Sequence, residues 1–303
     1  MKEVFTNRSV IFYCILAFIA FLVLRHHDSY ISPDNLDYWE GIWVEAHGMF
    51  MDIIVLGLFL AIYDFYRDKK ELEQRVEREQ KEQSLRFEKD RADKIDRYLE
   101  EIDDLRGWQS QEAVFRIVGN LRRLNRLNVT KINLDECYLK NARLAGINLK
   151  GSSFRYTNLE NADLEDATLN NTKWSFSNFK GTVFRKAEIN SSFIEDIENA
   201  AKADFGQAKF NNTHFIAFNG SGARFWSSNF KNATLSGASF KSCNMLRAIF
   251  SNCYLPQVNF ENAEIFQYQE SIMKTCGADT GKMNIKENPS DFETNKDAYL
   301  TNN

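Results

Sequence analysis

Between Lys131 and about Gln267 an apolar residue returns every five positions, and this beat restricts the fold more than anything else in the chain. It runs through Leu134, Leu139, Leu144, Leu149, Phe154, Leu159, Leu164, Leu169, Trp174, Phe179, Phe184 and Ile189. It then slips by one residue and resumes at Phe205, Phe210, Phe215, Phe225, Phe230, Leu235, Phe240, Met245, Phe250, Leu255, Phe260 and Ile265, missing only at Gly220. Two positions before most of these sits a smaller residue, such as Ala142, Ser152, Thr157, Ala162, Ala208, Thr213, Cys243 or Cys253. A helix would repeat its buried face every 3.6 residues and a strand every two, so neither accounts for the pattern. Inward residues separated alternately by two and by three predict a short extended piece followed by a forced corner, and repeated corners wind the chain into a solenoid.

The segments "NADLE", "DATLN", "YTNLE", "KNATL" and "ENAEI" follow a motif of small residue, Asp or Asn, Leu or Phe, then two variable residues. The run resembles the pentapeptide repeat proteins. That resemblance implies a right-handed quadrilateral parallel β-helix, with one pentapeptide per side and twenty residues per coil. Side chains twenty apart should then stack, placing Phe210, Phe230 and Phe250 in one ladder and Leu144, Leu164 and Phe184 in another. At a strand spacing of roughly 4.8 Å, six or seven coils make a rod on the order of 30 Å long. The smaller partner residue is needed because two large side chains on every edge would overfill the bore.

The formal net charge of -4 is mixed along the chain and gives no special attraction to nucleic acid. Cys137, Cys243 and Cys253 occupy small inward positions, Cys14 lies in an apolar run and Cys276 in the tail. Such spacing reads as core thiols in a reducing compartment, with neither a disulfide framework nor a zinc site. No cofactor or metal is expected.

Upstream, the apolar run Val10 to Leu24 is short for a span, but Lys2, Arg8 and Arg25 flank it and no small-x-small cleavage site follows. A second run, about His47 to Tyr66, contains "MFMDIIVLGLFLAIY". Acidic residues Asp28, Asp34, Asp37, Glu40 and Glu45 lie between the runs, whereas Arg67, Lys69 and Lys70 follow the second. The pattern predicts two transmembrane helices within residues 1–66, an outer loop carrying Tyr30, Tyr38, Trp39 and Trp43, and both termini in the cytoplasm at the inner membrane. A soluble helical hairpin is the competing reading. Asp52 is either an intramembrane acid lining a pore or pairing across an oligomer, or a snorkelling carboxylate near the outer end.

Residues 67–106 lack Pro and Gly and carry acid-to-base pairs four apart, including Glu71 with Arg75 and Glu82 with Arg86, which predicts a charged helical spacer on the order of 60 Å long at 1.5 Å per residue. Ile95, Tyr98, Ile102 and Leu105 give a two-heptad apolar seam consistent with a short coiled coil. Gly107 ends this helix and Ser110 caps another within 107–128, whose apolar face (Val114, Ile117, Val118, Leu121, Leu124) suits a lid on the first coil of a solenoid spanning 129–267. Arg122, Arg123 and Arg126 form a basic cluster able to touch anionic lipid. The polar tail, 268–303, reads as disordered, so the far end of the solenoid is expected to be uncapped and to favour pairing with a second copy.

Function is expected at irregular places. Asn190 to Asp204 breaks phase and carries Glu195, Asp196 and Glu198, predicting a short helix or protruding loop, and Phe218 to Ala223 puts Phe218 in the small position and Gly220 in the large one. These are candidate partner surfaces. Catalysis is not expected, because no histidine, phosphate-binding loop or nucleophile elbow converges with another catalytic group. DNA mimicry, an activity the resemblance brings with it, demands dense negative charge. Lys131 to Glu270 holds fifteen Lys and Arg against fourteen Asp and Glu, 15 − 14 = +1. The expected function is a membrane-tethered interaction scaffold with an unidentified protein partner, membrane lipid and a second copy as partners, and no nucleic acid. The alternative is an oligomeric membrane effector whose spans form a pore or perturb the bilayer in stress or phage defence.

Overall fold

The structure, a computed structural model, describes residues 15–16, 19, 23 and 36–296. Most of the first expected span and the first half of the expected outer loop therefore lie outside the described residues. Three helices are described: α1 (Leu36–Asp104), α2 (Gln111–Arg126) and α3 (Gln267–Thr275). Seven three-residue strands accompany them: β1 (Ser153–Arg155), β2 (Lys173–Ser175), β3 (Phe193–Glu195), β4 (His214–Ile216), β5 (Thr234–Ser236), β6 (Glu264–Phe266) and β7 (Asn284–Lys286). The chain divides into two units, one ending at Glu88 and one starting at Lys89, and α1 runs through the boundary.

The residues expected to form the end of the loop, the second span and the spacer are one continuous helix of 69 residues. Met51, Ile53, Val55, Leu56, Leu58, Phe59, Leu60 and Ile62 are all exposed on it. Among the described residues no helix is long and apolar enough to cross a membrane, so the second expected span is not found. Ion pairs follow, Arg75 with Glu71 at 4.0 Å and Arg86 with Glu82 at 3.9 Å. Such exposed pairs each support the helix by a few tenths of a kcal/mol.

The second unit is a parallel β-solenoid of about seven turns. Strands β1 to β5 form one sheet in sequence order, with Ser153, Lys173, Phe193, His214 and Thr234 in register. The corner chemistry explains the motif. The residue two after each large inward residue adopts a left-handed φ, as at Asn141 (59°), Asn161 (57°), Asp166 (56°) and Asn232 (58°), a region Asn and Asp tolerate better than most residues. The Asn or Asp just before the large residue accepts a hydrogen bond from the backbone two positions on: Asn158 Oδ1 from Glu160 N (3.0 Å), Asp163 Oδ1 from Glu165 N (3.0 Å), Asn229 Oδ1 from Lys231 N (2.9 Å). These side-chain turns close each corner.

At the small position a hydroxyl or thiol donates to the carbonyl of the preceding coil, as Thr157 Oγ1 does to Leu134 O (2.9 Å), Thr182 Oγ1 to Leu159 O (2.8 Å) and Cys243 Sγ to Gly220 O (2.9 Å). Buried polar atoms are thus paired, which is why Ser, Thr and Cys alternate with Ala there. In the bore Phe210, Phe230 and Phe250 stack at 5.1 and 5.3 Å, Phe184, Phe205 and Phe225 at 4.9 and 4.7 Å, and Phe154 on Trp174 at 3.8 Å. Each fully buried ring contributes about 1.5–3 kcal/mol of transfer free energy.

Both ends of the bore are covered. At the first coil, α2 begins at Ser110, whose side chain accepts from Ala113 N, and buries Val114, Ile117, Val118, Leu121 and Leu124. Asn125 Nδ2 donates to Asn148 O (2.7 Å) and its Oδ1 accepts from Asn148 N (2.8 Å), fastening α2 to the open strand edge. The end of α1 joins this lid. Ile102 and Leu105 are buried in the same core, with Ile95, Tyr98 and Leu99 packed against it, so the seam read as a coiled coil is consumed by capping.

The tail corrects a second expectation. Residues 267–296 are ordered: β7 adds a parallel strand beside β6, and Tyr268, Met273 and Phe292 are buried. Gln269, 1% exposed, completes the closure. Its Oε1 accepts from Phe266 N (2.8 Å) and Arg247 N (3.2 Å), and its Nε2 donates to Met245 O and Ala248 O, both 2.9 Å. One side chain pairs four backbone groups that the end of the solenoid leaves open. The open apolar end expected to recruit a second copy is filled by the chain itself.

Candidate functional site

The two phase breaks turn out to be one packing event. Asn178 pairs with Asn199, a step of 21, whereas neighbouring steps such as Asn158 to Asn178 are 20. The coil therefore absorbs a single extra residue at Glu198 and Asn199, with no helix and no protruding loop. Ile197 takes the small inward position and Ala200 the large one, both buried. One coil on, Phe218 and Gly220 repeat the inversion, with Phe218 1% exposed and Gly220 buried beside it. A side chain at Gly220 would overlap the Phe218 ring, whose Cζ and Cδ1 would lie 3.2 and 3.3 Å from the added carbon. Phe218 thus fills the volume that the large positions of two coils leave empty. Phe218 and Gly220 are core residues and present nothing to a partner, which corrects their assignment as a partner surface.

Glu195, Asp196 and Glu198 are at least partly exposed. Glu195 ends β3, and Asp196 occupies the following corner with φ 50°. Asp52 is exposed on α1, in the other unit. The repeat-core residues Leu144, Leu164, Phe184, Phe210, Phe230 and Phe250 are all buried at 1% exposure or less.

What periodicity at the inward positions does not show is an aromatic strip on the outer face of the β1–β5 sheet. Tyr156 and Phe176, at successive corners, stack at 5.0 Å with an 8° interplanar angle, and remain 54% and 46% exposed. Across the face, Phe193 stacks on His214 at 5.0 Å and 12°, beside exposed Ile216. Arg155 places its guanidinium 6.0 Å from the Tyr156 ring. Glu195 and Asp196 border the same face. A signal was available in the sequence, because Tyr156 and Phe176 are one coil apart at outward positions, the same stride that places the bore ladders. Neighbouring exposed aromatics on a regular, rigid sheet are a feature of protein-binding surfaces.

The three core thiols Cys137, Cys243 and Cys253 are poor nucleophiles. Burial pushes Cys137 and Cys243 up to about 12 and raises Cys253 further. Among the described residues no group of three or more His, Cys, Asp or Glu side chains is placed to hold a metal ion.

A pentapeptide repeat region model matches residues 123–194, and a model of eight pentapeptide repeats matches within 201–265. No curated protein matches the chain. Among solved structures, HetL, a pentapeptide repeat protein involved in heterocyst differentiation regulation in the cyanobacterium Nostoc, is 20% identical over 45% of this chain and 60% of its own, with a TM-score of 0.25. QnrB1, a plasmid-mediated fluoroquinolone resistance protein, is 19% identical over 48% of this chain and 88% of its own, TM-score 0.27. Rfr23, a pentapeptide repeat protein of the cyanobacterium Cyanothece, is 15% identical over 49% and 95%, TM-score 0.18. At these identities and scores nothing about activity passes from these structures to this chain. The repeat models, the corner hydrogen bonds and the stacked bore agree that residues 123–194 and 201–265 of this chain are a region of pentapeptide repeats.

Proposed function

We propose that this chain is a protein-interaction scaffold whose solenoid presents the Tyr156–Phe176 and Phe193–His214 strip to a protein partner. The single observation that carries this reading is the pair of stacked, half-exposed aromatic ladders on a sheet whose other face is a fully packed core. A rigid support lowers the entropy lost when such rings are buried by a partner. Arg155, Lys173, Glu195 and Asp196 around the strip supply the charged rim that sets specificity. A photo-crosslinking amino acid at Phe176 should trap one discrete partner in living cells, and Tyr156→Ser together with Phe193→Ser should abolish the adduct. Adducts that are diffuse, or unchanged in the double variant, would refute the strip.

The scaffold is further proposed to be held at the inner membrane, with the repeats in the cytoplasm. Support comes from the apolar stretch of α1, Met51 to Ile62, whose large side chains point to all sides of the helix and are exposed, and from the basic Arg67, Lys69 and Lys70 that follow it. Alkaline carbonate extraction of cells should leave the full chain in the membrane pellet, and Leu56→Lys with Phe59→Lys should release it. Recovery of the unaltered chain in the soluble fraction would refute the tether. The near-neutral repeat region supports no duplex mimicry, and Asp52 takes no part in this reading.

A further inference from the structure

A second surface lies on the lid of the solenoid. An open groove of about 500 Å³ between the end of α1 and α2 is lined by Tyr98, Glu101, Phe115, Arg116, Gly119 and Arg123. Helix α2 buries its apolar face in the core, yet Phe115 on the opposite side is 69% exposed and Trp108, just before the helix, is 61% exposed. The outer side of α2 is also strongly cationic, with Arg116, Arg122, Arg123 and Arg126 against Glu112 alone, 4 − 1 = +3.

The groove is organised before anything enters it. Arg116 binds Glu101 through Nε (2.8 Å) and Nη2 (2.7 Å). Arg123 donates to Asn120 Oδ1 (2.8 Å) and lies 5.6 Å from the Tyr98 ring. The Asn120 amide and Arg116 hold the Glu101 carboxyl below its ordinary range, so it stays ionised and its charge is matched by Arg116. Gly119 keeps the floor open, since a side chain there would begin 3.3 Å from Arg123 Nη1. With one edge of Arg116 on Glu101 and Nη1 of Arg123 on Asn120, the remaining N–H groups of the two positioned guanidiniums, beside two aromatic rings, offer anion recognition next to an apolar anchor.

We infer that this groove docks an acidic peptide segment of a partner protein, with carboxylates on Arg116 and Arg123 and an apolar side chain against Phe115 and Tyr98. The groove is shallow, and charge complementarity is what favours an acidic peptide, with Arg116, Arg122, Arg123 and Arg126 against Glu112 on α2. The surface is separate from the aromatic strip of the solenoid, so either can fail without the other.

The test uses the full chain in phosphatidylcholine nanodiscs, titrated with a fluorescein-labelled twelve-residue probe of Asp and Glu interspersed with Leu and Phe, and with the same probe carrying Lys in place of the acids. The acidic probe should bind with a dissociation constant on the order of 10 μM, weakening roughly tenfold between 50 and 300 mM salt as expected for screened charge pairs. Gly119→Glu, which adds a carboxylate to the floor and improves helix propensity, should weaken it about tenfold while the melting temperature is kept. Tyr156→Ser should leave it unchanged. Equal binding of the lysine probe, or undiminished binding to Gly119→Glu, would overturn the proposal. So would absent peptide binding with hydrogen-exchange protection of residues 108–126 appearing only when phosphatidylglycerol is added to the discs, which would assign the surface to lipid.

Discussion

Exchanging the sizes of Phe218 and Gly220 tests whether the inverted coil is a single packing unit. Phe218→Ala removes a ring that is 1% exposed and lies over Gly220, against Phe205, Phe215, Phe225 and Phe240. Truncation of such a ring costs about 3–5 kcal/mol, combining lost transfer free energy with the cavity left behind. Gly220→Phe alone forces a second ring into occupied space and costs at least about 1–3 kcal/mol, because Phe218 is hemmed in on every side by other rings. Added independently, the two amount to roughly 4–8 kcal/mol. Together they restore the order of every regular coil, small residue first and aromatic second, so the double variant should lose no more than about 2–3 kcal/mol. The implied coupling of at least about 1 kcal/mol is outside the roughly 0.3–0.5 kcal/mol scatter seen for independent sites. Urea unfolding of the full chain followed by circular dichroism, accepted only where the three variants and the unaltered chain share one m-value, measures it. Additivity within about 0.5 kcal/mol would show that the two positions do not share a volume and would refute the reading that Phe218 fills the space left at Gly220.

Three further outcomes follow from particular contacts. Gln269→Leu keeps the volume of the far-end plug but orphans two backbone donors and two acceptors, and should destabilise the chain by about 2–4 kcal/mol with increased end-to-end association in light scattering; a monodisperse variant of unchanged stability would contradict the capping role. Cys137 and Cys243, buried and pushed up to about 12, should resist iodoacetamide at pH 8 in the folded chain, whereas half-buried Cys276 should be modified first, as mapped by peptide mass spectrometry. Glu101 has its folded value depressed below 4.5 by Asn120 and Arg116, so its stabilising effect is complete above the unfolded value and disappears as pH falls through the folded one. Glu101→Gln should therefore lower stability by less than about 1 kcal/mol at pH 7, with the difference vanishing as pH falls through the folded value; a difference that grows on acidification would reverse the assigned sign.

Much of the solenoid was legible because its forces are local and repeated. A large residue every fifth position, a small one two before it, and Asn or Asp beside the large one state the bore, its fill and its corners, since each corner is closed by a side chain bonding its own backbone two residues on. The sheet-face strip was half legible. Tyr156 and Phe176 are one stride apart, but their neighbours Phe193 and His214 straddle the inserted residue near Glu198, which moves the stride from 20 to 21. The cap groove was not legible, because Tyr98 and Phe115 belong to different helices and their juxtaposition depends on how the end of α1 crosses α2.

The sequence by itself determined the coil, its register and its packed interior, because period-five burial admits one way of turning the chain. Only tertiary structure decided what the irregular and flanking segments do. Phe218 and Gly220 read alike as an exposed defect or an inverted core pair, and the choice rests on whether a neighbouring coil offers the missing volume, which Ala200 does. The seam of Ile95, Tyr98, Ile102 and Leu105 can serve a second helix or a lid equally well, and it closes the lid because the first coil presents an apolar bore that must be covered. The polar tail looks unable to fold alone. It orders because the last coil supplies unpaired backbone groups and a hydrophobic floor that Gln269, Met273 and Phe292 complete.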